Sequence, residues 1–134
     1  IEISGGYQFV STTVVSFPAD PAANPSLQGN QLPQIPRHQV TLQARYWDPS
    51  RLMLSVQGRF VGDQFDDDTN SLRLDRFFTL DLLAGRSLGH GVEVYGAIEN
   101  VLNQRYTVGL TPTPTIGPPL LARVGLRLNL PVRH

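Results

Sequence analysis

The stretch VYGAIENVLNQRYTVG, residues 94–109, carries two asparagines and an arginine directly after an alternating strand pattern. Val94, Gly96 and Ile98 share one face of the predicted strand, and Glu99 lies on the other because successive strand side chains alternate. We expect the strand to continue through the amides without turning there. A strand that ends in polar side chains requires a sheet in which these side chains can face water or a polar interior. The patterns in the rest of the chain indicate which kind of sheet this is.

Period-two alternation of apolar and polar residues recurs along the chain, and no segment of useful length has helical periodicity. In residues 38–47, Val40 and Leu42 alternate with Thr41 and Gln43. The predicted strands cover residues 1–13, 38–47, 52–61, 77–86, 92 onward and 120–130. We therefore predict an all-β fold, a six-stranded antiparallel meander.

Long and short connections alternate strictly between the predicted strands. The long ones are residues 14–36, 63–76 and 108–119, and the short turns are residues 47–51 and 87–91. Outer-membrane β-barrels have short periplasmic turns and long extracellular loops, with an apolar outer face and a polar interior. The pattern favours a segment of a transmembrane β-barrel whose long loops are extracellular.

Two other classes of protein were weighed against the membrane barrel. A sheet with one polar face also fits a soluble antiparallel β-barrel or sandwich that binds a small apolar ligand, as lipocalins do. That alternative predicts an apolar interior and a polar face in water. An enzyme ranks lowest, because no nucleophile–base pair or metal-ligand constellation occurs in the sequence.

The composition narrows the possible partners. The formal net charge is zero, so no basic field suited to nucleic acid is present. The chain has no cysteine and therefore no disulfide or thiolate metal site. His38, His90 and His134 lie far apart, and we predict neither a metal site nor a cofactor. The acidic run at residues 66–68 lacks the spacing of a calcium loop, so we predict a solvated loop there.

Several motifs resemble TonB-dependent outer-membrane receptors. The signature of the penultimate strand in that family is similar to Asn100, Val101, Leu102, Asn103 and Tyr106 of this chain. Neighbouring strands of the family resemble, in the same order, residues 3–9, 29–46 and 57–88. The resemblance thus extends over nearly the whole chain.

The resemblance implies that residues 1–134 form the C-terminal part of a transmembrane barrel of about 22 strands. Neither a TonB box nor a plug domain precedes the strands, so we expect the chain to be one portion of a receptor. The family's properties imply contact with outer-membrane lipid in a Gram-negative-type bacterium. They also imply TonB-driven uptake, through the missing plug, of siderophore-iron, haem, cobalamin or a similarly bulky substrate. An isolated segment would have two open edges, and we expect it to self-associate.

Substrate contacts are expected in the predicted extracellular loops, at residues whose side chains are suited to recognition. None of them belongs to a family motif for substrate, so position alone selects them. The candidates are Gln31, Gln34, Arg37, Asp66, Asp67, Asp68 and Asn70.

Overall fold

The computed structural model describes residues 1–16, 27–48 and 51–128, and the secondary structure within them is entirely β. The six long strands are β1 (Glu2–Phe9), β2 (His38–Asp48), β3 (Leu52–Val61), β6 (Phe77–Gly89), β7 (Val92–Glu99) and β10 (Leu121–Leu128). The four short strands are β4 (Gln64–Phe65), β5 (Arg73–Leu74), β8 (Thr107–Gly109) and β9 (Thr115–Ile116). In this described part of the chain, no helix is long and apolar enough to cross a membrane.

The long strands form one antiparallel sheet in the order β1-β2-β3-β6-β7-β10, which confirms the predicted six-stranded meander. The two pairs of short strands form separate hairpins, β4 with β5 and β8 with β9. The sheet has two edges, because β1 and β10 pair with only one neighbour each. The lipocalin-like alternative requires an enclosed interior, and an open sheet of this kind does not enclose one.

The cross-strand register aligns the apolar positions of all six long strands. One continuous row crosses the sheet through Ile3, Ala44, Val56, Leu82, Ile98 and Ala122. The next row, on the opposite face, runs through Glu2, Arg45, Ser55, Leu83, Ala97 and Arg123. Alternation along each strand and alignment across strands together give the sheet one apolar and one more polar face.

The apolar face has no protein layer over it in the described residues. Val124 is 83% exposed and Leu42 is 59% exposed. The buried apolar side chains lie elsewhere, in the loops and at the strand ends that meet them: Leu27, Val61, Leu74 and Phe77. A contiguous exposed apolar face that extends over six strands marks a surface that contacts an apolar phase or a partner.

The strand bounds differ from the predicted ones at several ends. β1 ends at Phe9 and not at residue 13, and β6 continues to Gly89, beyond the predicted end at residue 86. The turn after β6 is correspondingly tight, and both His90 (φ 55°) and Gly91 (φ 76°) are left-handed. Two left-handed residues in succession match the twist of a two-residue hairpin connection.

Parts of some predictions lie outside the described residues. These parts are residues 17–26 of the first long loop, residues 49 and 50 of the predicted Asp-Pro turn, and residues 129 and 130 of the last predicted strand. Within the turn, the Arg51 amide donates to the Asp48 carbonyl at 3.1 Å.

The expectation that the strand runs on through the asparagines is wrong. β7 ends at Glu99, and the chain turns over Asn100 and Asn103, whose φ angles are 48° and 47°. Asparagine adopts this left-handed conformation more readily than other residues that carry a Cβ atom. The amides therefore end the strand.

Candidate functional site

Three connections gather at one end of the sheet. We name them loop A (residues 27–37), loop B (residues 62–76) and loop C (residues 100–120). Loop A precedes β2, loop B joins β3 to β6, and loop C joins β7 to β10. Because consecutive long strands are antiparallel, these three connections emerge at the same end. They form the loop cluster, which contains all seven residues that the sequence proposed for substrate contact.

The carboxylate of Asp66 joins the three loops. The side chain is only 6% exposed although it belongs to an acidic run. Its Oδ1 accepts a hydrogen bond from Gln34 Nε2 of loop A at 2.8 Å. Its Oδ2 accepts from the Leu110 amide at 2.8 Å, and from the Thr111 amide and Thr111 Oγ1, both at 2.7 Å. One side chain of loop B thus contacts both of the other loops.

These donors also determine the charge of Asp66. Hydrogen bonds from Gln34, from the Thr111 hydroxyl and from the Leu110 amide lower the pKa of Asp66 from 3.8 to about 2. Each bond favours the charged carboxylate over the neutral acid. Since the folded-state pKa lies below the ordinary value, this stabilisation is present above pH 3.8 and is lost as the pH falls toward 2. The carboxylate is therefore ionised at neutral pH.

Loops A and B are also joined directly. Asn70 Oδ1 accepts from the Gln31 amide at 2.7 Å, while Asn70 Nδ2 donates to the Gln31 carbonyl at 2.9 Å. The Gln34 amide donates to the Phe65 carbonyl at 2.7 Å. Gln34 and Asn70 are both left-handed, with φ of 56° and 57°. Several independent bonds therefore hold these two loops together.

Asp67 organises loop B internally. Its carboxylate accepts from the Thr69 hydroxyl, from the Ser71 amide at 3.0 Å and hydroxyl at 2.8 Å, and from the Leu72 amide at 2.7 Å. Desolvation raises the pKa of Asp67, but these hydrogen bonds outweigh it and lower the pKa below its ordinary range. An aspartate that bonds the backbone a few residues onward makes a compact turn.

Asn100 secures the base of loop C. The residue is 3% exposed, and its side chain makes three hydrogen bonds. Nδ2 donates to the Gln104 carbonyl at 2.9 Å and to the Pro118 carbonyl at 3.0 Å, and Oδ1 accepts from the Gln104 amide at 3.0 Å. The Asn100 amide donates to Asp81 Oδ1 at 2.8 Å. Both sides of loop C are thereby tied to each other and to β6.

Tyr106 fills the space beneath loop C. Its ring stacks on the Phe77 ring with centroids 4.0 Å apart and an interplanar angle of 19°. The ring also packs directly against the backbone of Gly117, whose amide donates to the Tyr106 carbonyl at 2.8 Å. The ring thus contacts both an aromatic ring and a backbone, and any side chain at residue 117 would overlap it.

The six-stranded sheet has counterparts in known proteins. A family model described as TonB dependent receptor-like, beta-barrel matches residues 1–101. The chain belongs to the TonB-dependent receptors. A comparison with curated proteins finds no match.

Three solved structures share the fold. The siderophore receptor PiuA from Acinetobacter baumannii is 18% identical with a TM-score of 0.81, over 94% of this chain and 19% of that one. BauA, the ferric preacinetobactin receptor of the same organism, is 17% identical with a TM-score of 0.74, over 94% and 19%. The ferric-catecholate import receptor Fiu from Escherichia coli K12 is 16% identical with a TM-score of 0.75, over 95% and 18%. The chain therefore spans about a fifth of the length of these receptors.

Within this TonB-dependent receptor segment, the seven candidate substrate residues have different environments. Gln34, Arg37 and Asp68 are exposed, Gln31, Asp67 and Asn70 are half-buried, and Asp66 is buried. The expectation that the acidic run is solvated is therefore wrong for Asp66. The Gln31 amide oxygen, in the orientation that satisfies both groups, accepts from the Arg37 guanidinium. Contact of any of the seven with substrate stays a prediction.

The polar face of the receptor segment carries two cross-strand ion pairs. Arg123 of β10 pairs with Glu99 of β7, and Arg127 pairs with Glu93 at 3.2 Å. A concavity of about 290 Å³ lies on this face, and Gln43, Gln57 and Asp81 are among its lining residues. In the described ranges, no group of three or more histidines and carboxylates is placed to bind a metal ion.

A substitution at Gly117 tests the packing under loop C. We expect Gly117→Ala to destabilise the barrel by about 1–3 kcal/mol, the usual cost of overpacking, because the new methyl would overlap the Tyr106 ring, and a shift of that ring would disturb its stacking on Phe77. The measurement is urea unfolding of the complete receptor in lipid vesicles. Gly6→Ala is the matched control, since a methyl there meets no atom within 4 Å. Equal stability of the two variants would contradict the packing described.

Proposed function

We propose that this segment is part of the barrel wall and the extracellular surface of an outer-membrane receptor that imports a ferric siderophore. The observation that carries the proposal is the match of residues 1–101 to the receptor barrel family. The solved receptors of similar fold are described as a siderophore receptor, a ferric preacinetobactin receptor and a ferric-catecholate import receptor. Haem and cobalamin are the other cargoes to be tested.

The sheet suits the wall of such a barrel. Its exposed apolar face, which includes Leu42 and Val124, would contact outer-membrane lipid, and its polar face would line the lumen. The open edges, β1 and β10, would pair with the neighbouring strands of the complete barrel. Separated from those strands, the segment would self-associate through the same edges.

The loop cluster suits the extracellular end. Outer-membrane barrels place long loops outside and short turns in the periplasm. On this orientation, loops A, B and C face the medium, and residues 47–51 and 87–91 face the periplasm. The exposed side chains of Gln34, Arg37 and Asp68 would be the first of the seven candidates to meet a substrate.

Energy for import would come from TonB acting through a plug domain elsewhere in the receptor. The segment's part is binding and enclosure, so it requires no catalytic residue. A second candidate function has no observation in its favour, because the soluble ligand-binding alternative needs a closed apolar interior and the sheet is open.

The test is uptake by cells. A strain that lacks its other iron receptors is given the complete receptor, and uptake of radioactive iron is measured with catecholate, hydroxamate and citrate chelates, beside haem and cobalamin. We expect receptor-dependent uptake of at least one ferric chelate that disappears when TonB is deleted. Uptake of haem or cobalamin alone would reject the siderophore assignment, and TonB-independent uptake would reject energised import.

A further inference from the structure

The connections within the loop cluster are unequal. Loops A and B share hydrogen bonds at Gln31, Gln34 and Asn30, the last of which donates from Nδ2 to the Asp68 carbonyl at 2.9 Å. Between loops B and C, all hydrogen bonds among the described residues are accepted by Asp66 Oδ2. The hydrogen bonds of the second junction therefore depend on one carboxylate oxygen.

Loop C itself has two parts with separate supports. Its base is held by Asn100 and by the Tyr106 ring, neither of which contacts Asp66 in a hydrogen bond. Its outer part contains the hairpin of β8 and β9, and the Asp66 partners Leu110 and Thr111 lie directly after β8. Loss of the Asp66 bonds would leave the base in place and remove the hydrogen bonds that hold the hairpin to loop B.

We propose that Asp66 is a positioning residue that fixes the β8–β9 hairpin against loop B, and that it acts in the receptor through this junction and not by contact with substrate. The consequence for substrate rests on the proposed function, because the hairpin belongs to the surface that a siderophore would meet. The junction itself does not depend on that function. The burial of Asp66 supports this role over the direct substrate contact that its position in the sequence predicts.

The chemistry of the junction explains why a carboxylate is required. Two consecutive backbone amides and a hydroxyl converge on Oδ2, and an amide side chain donates to Oδ1. Hydrogen bonds to a charged acceptor are shorter and stronger than those between neutral groups. Asparagine has the same shape but must place its NH₂ group against one of these two sets of donors. Asp66→Asn removes the charge and should therefore weaken the junction without changing the volume of the side chain.

Amide hydrogen exchange of the complete receptor, without any chelate, measures the junction directly. In Asp66→Asn we expect the Leu110 and Thr111 amides to exchange on the order of tenfold faster or more, because three bonds to one charged acceptor are lost or become weaker bonds to a neutral amide oxygen. Exchange at residues 69–72 should stay unchanged. The matched control, Asp67→Asn, should show the reverse, since Asp67 accepts from the Ser71 and Leu72 amides within loop B.

A second variant keeps the test decisive if Asp66→Asn does not fold. Thr111→Val removes only the hydroxyl donor and preserves a β-branched side chain, so a smaller acceleration at residues 110 and 111 is expected. Unchanged exchange there in either folded variant would overturn the positioning role and return Asp66 to the substrate-contact hypothesis. Because no chelate is present in the exchange measurement, the two proposals can fail separately. A failed uptake assay rejects the import function and leaves the exchange result intact. Unchanged exchange rejects the positioning role of Asp66 and leaves the import function intact.

Discussion

Leu82→Arg is expected to destabilise the folded barrel by about 2–4 kcal/mol if the apolar face contacts lipid as proposed, since this is the cost of an arginine on a lipid face near the bilayer midplane. Leu82 lies in the apolar row that crosses all six long strands, between Val56 of β3 and Ile98 of β7. The guanidinium would have to leave water for hydrocarbon without a partner. Urea unfolding of the complete receptor in lipid vesicles measures the loss.

Leu83→Arg is the matched control for this prediction. Leu83 is the next residue of the same strand, has the same chemistry, and lies on the polar face between Ser55 and Ala97. An arginine there would extend into the polar lumen, so we expect a cost of less than about 1 kcal/mol. A larger cost at Leu83 than at Leu82 would reverse the assignment of the faces and with it the membrane orientation of the sheet.

Period-two alternation was sufficient to predict the sheet. Leu52 and Val61 bound β3 as expected, because the turn residues before it and the polar segment after it mark both ends. Alternation also predicted which residues share a face, since a strand leaves no other choice once its register is set. Strand ends were less predictable: the predicted β1 runs on to residue 13 because the β-branched residues Val10, Thr12 and Thr13 favour a strand, whereas pairing with β2 ends at Phe9.

The sequence predicts where the loops of the cluster lie but not which of their residues contact one another. Proline and turn residues placed the long connections at one end of the meander, which was enough to bring the seven candidates together. The partners of Asp66 could not be found in this way, because Leu110 and Thr111 bond through backbone amides about a third of the chain away. Sequence also favours the view that neighbouring aspartates are equivalent, whereas Asp66 and Asp67 accept bonds from different loops.

The asparagine turn shows the opposite case, in which a motif was recognised but its geometry was misread. The sequence motif predicts that β7 extends through Asn100 and Asn103, whereas both are left-handed residues and β7 ends before them. A signal was available in the sequence, since paired asparagines three residues apart are common in turns and rare within strands. The resemblance to the penultimate strand of the family instead favours a strand, and that prediction is wrong at these two residues.

Asn100→Ala is expected to cost roughly 3 kcal/mol or more of barrel stability. The substitution removes the three hydrogen bonds that the buried Asn100 side chain makes with Gln104 and Pro118, at about 0.5–1.5 kcal/mol for each bond. It also forces alanine into a left-handed conformation, which costs about 1–2 kcal/mol more. Unfolding in urea gives the total.

Asn100→Gly separates the two contributions. Glycine loses the same three hydrogen bonds but adopts a φ of 48° without strain. We therefore expect Asn100→Gly to be more stable than Asn100→Ala by about 1–2 kcal/mol and still clearly less stable than the parent receptor. If glycine restored full stability, the hydrogen bonds to Gln104 and Pro118 would contribute nothing and the turn would require only its backbone conformation. If alanine matched the parent, the Asn100 side chain would not secure the base of loop C, and other contacts such as the Tyr106 ring would have to hold it.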